Sequence, residues 1–241
     1  MDHAFSTGKP AEAPGPCADC GQEVSVSNSP AALSGLQPAR LRAWFANPPE
    51  WQPDAWAQDT PPAGARRCAA VLLGLVARAQ PSVLMIRRPA HMRTHAGQIA
   101  LPGGQWDPED QGDPWRCALR EAQEEVGLDP RQVQRLGELP IHRTHTGFDI
   151  TPVVAWVQPS PSWRAHPQEV QEVFEVPLHF VLDSAHHHRH EGWIGGQQRR
   201  WWSMPYRDEG GQERLIWGAT AAILRNFYLF VRAASAAMMR A

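Results

Sequence analysis

This sequence has almost no net charge, few cysteines, no long apolar run and no internal repeat, and each shortage removes a class of function. With 23 Lys and Arg against 25 Asp and Glu, the formal net charge is −2. The chain therefore has no general attraction for nucleic acid or anionic membrane, and any polyanion must be met by a local basic patch. No stretch is long enough to span a bilayer, and the opening residues, MDHAFSTGKPAEAPG, lack the apolar core of a signal peptide. A cytoplasmic protein is expected, with no nucleic-acid and no membrane partner; a homodimer is left open. Of the four cysteines, Cys17 and Cys20 form a CxxC without the second knuckle that completes a structural zinc site. With His3 they make a loose metal site at most, and a tail is the plainer reading. Cys68 and Cys117 sit in apolar patterns and read as small core residues.

What is present suits a globular domain. Hydrophobic residues make up 42% of the chain and charged residues 20%, a balance that can bury a core. Residues 1–37, rich in Ala, Pro, Ser and Gly, read as a flexible extension, residues 38–234 as one domain and residues 235–241 as a tail. Pro38–Ala46 is expected as a short helix and Glu50–Gly64 as a proline-rich surface loop. Cys68–Ala77 has the continuous apolar pattern of a central strand buried on both faces. Ser82–Arg87 and Gln98–Leu101 are further strands, the second leading into a Pro102–Gly103–Gly104 turn.

Pro114–Val126 is expected as a helix, with Asp113 as N-cap, Gly127 as C-cap, and Trp115, Leu119, Ala122 and Val126 as its apolar stripe. Strands follow at Gln134–Leu139, at Asp149–Val157, where Pro152 argues for an edge or a bulge, and at Glu172–Val176. The rest reads as a helical turn at Leu178–Leu182, a polar loop of solvated histidines at His186–His190, a hairpin of Arg199–Met204 with Arg214–Trp217, and a long apolar helix over Gly218–Ala234. Phe174, Trp201, Trp202 and Trp217 have core spacing. Together these elements predict an α/β fold, with helices covering both faces of a mixed β-sheet.

The chemistry concentrates between Leu84 and Leu128. At 100° per residue, Glu121, Glu124 and Glu125 share an arc of about 100° on the Pro114–Val126 helix, away from the centre of its apolar stripe. Carboxylates at i, i+3 and i+4 repel one another, so the arrangement costs stability unless a cation sits among them, and hard oxygen donors suit Mg²⁺ or Mn²⁺. A solvated acidic face is the plainer alternative for such a helix taken alone. Ahead of it lie Gly103 and Gly104, which let the backbone approach a ligand closely, and then Asp107, Glu109 and Asp110.

Leu101-Pro-Gly-Gly104, the acidic loop and Arg120-Glu-Ala-Gln-Glu-Glu-Val-Gly-Leu128 together resemble the Nudix box, the loop-helix-loop signature of the Nudix hydrolases. Arg120, Glu121, Ala122, Glu124, Glu125, Gly127 and Leu128 fill every defined position of its REUxEExGU half. The departure lies in the loop: Gly104 to Arg120 spans sixteen positions, longer than the common spacing, and Asp110 stands where the loop glutamate is usual. The resemblance implies a Nudix-like α/β/α sandwich and metal-dependent cleavage of a diphosphate linkage. Glu121, Glu124 and Glu125 are the implied ligands of Mg²⁺ or Mn²⁺, and one of them, or Glu169 or Glu172, the base. Arg120 is implied to orient a glutamate.

A second resemblance concerns the substrate. Leu84 to Gly104 is similar to the segment preceding the box in the coenzyme A pyrophosphatase subgroup, with Arg88, Arg93, Gly97, Pro102, Gly103 and Gly104 matching and Ile86, Pro89 and Leu101 departing. It implies a CoA-like nucleotide substrate, cleaved to 4′-phosphopantetheine and adenosine 3′,5′-bisphosphate, with Arg88, Arg93, Gly103 and Gly104 binding it. Arg87, Arg88 and Arg93 could fork onto phosphate oxygens or pair with the acidic loop instead. Two rivals stand beside this reading. One is a Nudix hydrolase of ADP-ribose or of a dinucleotide such as NADH; the other is a catalytically silent Nudix module that only binds its ligand.

Overall fold

A computed structural model describes residues 36–55, 66–92, 95–160, 162–194 and 197–240. His3, the Cys17–Cys20 motif and Arg93 lie outside the described residues, and the elements below are those of the described residues. The central sheet has the strand order β3-β2-β1-β7-β5, where β1 is Arg67–Val76, β2 Ser82–Arg87, β3 Ile99–Ala100, β5 Val133–Glu138 and β7 Phe148–Val157. Three further strands pair onto this path: β4 (Gly103–Gln105) on β1, β6 (His142–Arg143) on β7 and β8 (Glu172–Pro177) on β2. β1 and β7 run parallel and the other pairs antiparallel, so the sheet is mixed.

The alternation of β1 explains its central position. Leu73 and Leu75 enter one core and Ala70, Leu72 and Val76 the other, as a strand covered on both faces requires. On the second of these faces lies α2 (Pro114–Val126), with Cys117, Ala118, Ala122 and Val126 buried. The first is covered by α1 (Pro38–Ala46), α3 (Leu178–Val181) and α4 (Ala219–Met238), together with an antiparallel sheet of β9 (His188–Ile194), β10 (Gln197–Arg207) and β11 (Glu213–Trp217) in the order β11-β10-β9. The result is the expected α/β architecture, a mixed sheet between helices. No helix among the described residues is long and apolar enough to cross a membrane.

Several local expectations are corrected. Gly103 and Gly104 are not a free turn: they pair with Val71 and Ala70 of β1 as β4. Pro152 lies in an interior strand, opposite the break where β5 has ended and β6 has not begun, while the bulge belongs to β5 between Arg135 and Gly137. The histidine run is not a solvated loop, because His187 and His190 are buried and β9 starts at His188. Cys117 is a core residue as expected, but Cys68 is exposed at the start of β1. On α2, Trp115 and Leu119 are only half-buried, and the buried face includes Glu125.

Candidate active site

The caps of α2 are those its sequence spells out. Asp113 accepts the Trp115 backbone N–H at 2.9 Å, Pro114 occupies the first turn, and Gly127 adopts the left-handed conformation, φ 67°, that ends the helix. The helix packs close to the sheet because what faces it is small. A methyl group on Gly103 would run into the Ala70 carbonyl oxygen, and one on Gly104 would stand 2.5 Å from the Glu121 carboxylate. Gly104 therefore makes room for the Glu121 carboxylate and Gly103 for the close approach of β1, a different service from the sharp turn expected of them.

The three glutamates differ in environment. Glu125 is 2% exposed, accepts the Gly103 backbone N–H at 2.9 Å and lies 4.0 Å from the Arg88 guanidinium. Burial pushes its carboxyl up to about 8, against the pull of Gly103 and Arg88, and Glu121 and Glu169 push the same way. Glu121 is also raised by burial, with Arg120 opposing and Glu124 and Glu169 adding to the rise. The Glu124 side chain is exposed. Glu169, three residues before β8, lies in a turn tied to α2 through the His166 N–H on the Glu125 carbonyl, although its sequence position gave it no priority over Glu172.

Arg120 is the hub of this cluster. It donates from Nε and Nη2 to the two oxygens of Asp110 at 3.0 and 2.9 Å, and from Nη1 to Glu121 at 2.9 Å, with Glu124 3.6 Å away. Asp110 is buried, and it also accepts the Asp107 backbone N–H at 2.7 Å inside a reciprocal cap. The Arg120 fork holds its carboxyl below the usual range. The departure from the common loop spacing thus ends in an anchor that fastens the acidic loop to α2. Cys117 lies beside it, and burial pushes its thiol up to about 12, so it is an inert packing group.

Of the basic segment's described arginines, neither Arg87 nor Arg88 pairs with the acidic loop. Arg88 faces Glu125, while Arg87, one residue earlier on the strand and so directed to the other face, lies 3.7 Å from Glu172. The Nε atoms of both are buried without a hydrogen-bond partner. Glu172 is further occupied by Arg214 at 2.6 Å, which leaves Glu169 as the less encumbered of the two downstream carboxylates.

Residues 65–196 match the family model described as the NUDIX domain. The chain belongs to the Nudix family. It is 42% identical over 164 residues to the uncharacterized Nudix hydrolases NudL of Salmonella paratyphi B and Salmonella newport, an alignment covering 68% of this chain and 82% of theirs. Among solved structures it resembles the Nudix hydrolase RenU of M. smegmatis (25% identity, TM-score 0.41, 50% of this chain and 76% of that one). It also resembles the NUDIX domain of Shewanella oneidensis NrtR complexed with ADP ribose (22% identity, TM-score 0.39, 58% and 84%). The chain is accordingly a Nudix hydrolase of a diphosphate linkage.

Nudix hydrolases generally use divalent cations such as Mg²⁺ or Mn²⁺. As the side chains stand, no group of three or more His, Cys, Asp or Glu among the described residues is arranged to hold a metal ion, because Glu121 is drawn to Arg120 and Glu125 to Gly103 and Arg88. The donor chemistry nevertheless fits. Glu121, Glu124, Glu125 and Glu169 supply only hard oxygens, and burial, with the neighbouring carboxylates adding to it, raises Glu121 and Glu125.

Proposed function

We propose that the protein hydrolyses the diphosphate linkage of coenzyme A or its acyl derivatives, giving 4′-phosphopantetheine, or its acyl form, and adenosine 3′,5′-bisphosphate. The observation that carries the reading is the position of Arg88. Of the basic segment's described arginines it is Arg88 that faces the glutamate helix, 4.0 Å from Glu125 with its buried Nε unpartnered, where a guanidinium can fork onto diphosphate oxygens as they arrive. Arg93, the second arginine of the coenzyme A-type pattern, is assigned to the same substrate on its sequence position.

Glu121, Glu124 and Glu125 would hold the cation, Mg²⁺ or Mn²⁺, and its chemistry there would be to neutralise charge on the diphosphate as a Lewis acid. Arg120 aims Glu121 by a direct hydrogen bond and is itself fixed by Asp110. Gly103 and Gly104 are assigned to substrate binding on their place in the motif, where their backbone runs beside the carboxylates. Glu169 takes the proton of the attacking water; the water oxygen bonds to phosphorus, the bridging P–O bond breaks, and the departing phosphate carries the bridging oxygen away.

Purified protein with Mg²⁺ or Mn²⁺ is tested against coenzyme A, acyl-CoAs, ADP-ribose and NADH. Turnover of coenzyme A is expected; none, beside brisk cleavage of ADP-ribose, sinks the choice of substrate. Glu125→Gln is expected to lower kcat by about a hundredfold or more, as loss of a ligand to a charge-neutralising cation implies, while circular dichroism stays unchanged. Undiminished turnover in that variant would remove the metal site.

A further inference from the structure

Arg214 lies on β11, beyond residue 196 where the family match ends, yet its side chain is only 4% exposed. Its Nη2 donates to Glu172 at 2.6 Å and to Gln212 at 3.1 Å, its Nη1 to Asp208, and its guanidinium lies 4.4 Å over the Phe174 ring. Glu172 and Phe174 are alternate residues of β8 and share a face. One arginine from the smaller sheet therefore grips both the charge and the ring at the start of β8.

The segment just before β8 is held at both ends. Upstream, the backbone N–H groups of Arg164 and His166 donate to the carbonyl oxygens of Val126 and Glu125 at 3.0 and 2.9 Å, which ties it to the end of α2. Downstream, Gln171 donates to the Arg87 carbonyl at 2.8 Å, and Glu172 takes Arg214. Between these ties, Glu169 and Val170 both donate to the His166 carbonyl, at 3.1 and 2.8 Å, and Val170 is buried under α2. The turn therefore lies against the end of α2 that carries Glu121 and Glu125, with Val170 buried and Glu169 next to it exposed.

We propose that Arg214 is a positioning residue for the reaction: through Glu172 it sets the turn that aims Glu169 at the reacting water. The inference rests on the base assigned to Glu169 above. Displacing a base by a fraction of an ångström leaves substrate binding alone and lowers the chemical step, so the effect belongs in kcat.

The test uses the full chain with Mg²⁺ on whichever of coenzyme A and ADP-ribose the parent cleaves. Arg214→Gln is expected to lower kcat about tenfold with KM within about twofold, and Arg214→Lys to recover part of the loss. In a Glu169→Gln background the same substitution should add nothing, because no base remains to be misplaced. Hydrogen exchange at the Glu169 and Val170 amides is expected to quicken while that of α2 stays put. An equal loss in both backgrounds, or unchanged exchange in the turn, overturns the positioning role. Full turnover in Glu169→Gln overturns the base and this inference together, whereas full turnover in Arg214→Gln alone leaves the base standing and overturns only the inference.

Discussion

Single residues here do work that their type does not announce. Gly104 sits against the Glu121 carboxylate, where a methyl group would stand 2.5 Å away. Gly104→Ala is therefore expected to push Glu121 off its place and cost about tenfold or more in kcat, with little change in melting temperature because the displaced group is the end of a side chain. Parent-like kcat would mean that Glu121 can move without consequence. His187 is buried with its ring Nε2 2.9 Å from the Val181 carbonyl oxygen, and burial pushes its pKa down to about 4, with the Arg225 charge adding to the shift. Between pH 6.5 and 4 the unfolded chain binds a proton that the folded chain refuses, so this contribution to stability is complete above about 6.5 and is lost as the pH falls. Urea unfolding across that range should show the decline, and His187→Gln should flatten it. An unaltered slope in the variant would place the dependence elsewhere.

At the level of elements, what could be read from the sequence was what depends on neighbours along the chain. The ends of α2 follow from Asp113, Pro114 and Gly127, which cap it locally, and β1 and β2 follow from apolar runs of strand length. The buried face of α2 could be read only in part. Ala122 and Val126 are buried as expected, but Trp115 and Leu119 are half-buried, and Cys117, Ala118 and Glu125 are buried in their stead. β9 was missed for a related reason: its histidines look polar in sequence, yet His190 is buried, with Ser203 bonded to it at 2.7 Å and Trp201 stacked on it. The loop before α2 offers a test at this scale. Asp110 is the buried partner of Arg120, so Asp110→Ala leaves a partly buried guanidinium short of its counter-charge. It should cost on the order of 3 kcal/mol by chemical denaturation, with a fall in kcat as Arg120 loses its hold on Glu121. A cost below about 0.5 kcal/mol would show the anchor to be dispensable.

Across the whole molecule, the match to the family model ends before β10, β11 and α4, yet those elements complete the larger core. α4 alone buries Leu224, Phe227, Tyr228, Phe230 and Val231, side chains worth about 1.5–3 kcal/mol each when taken from water. Thr220 at its start donates to the Ile99 carbonyl at 3.2 Å, beside the strand that leads to Gly103. A chain ending at residue 196 is expected to lose cooperative unfolding and near-ultraviolet dichroism; a sharp two-state transition in that fragment would show the matched region to be self-sufficient. The sequence by itself determined the reaction class through its resemblance to the Nudix box, because Arg120, Glu121, Glu124, Glu125, Gly127 and the glycines before them form a motif local to the chain. Only the tertiary structure decided which carboxylates are buried, that Asp110 holds Arg120, and that Glu172 is taken by Arg87 and Arg214. Those facts arise between segments far apart in the chain, where packing and charge pairing, rather than periodicity, set the partners.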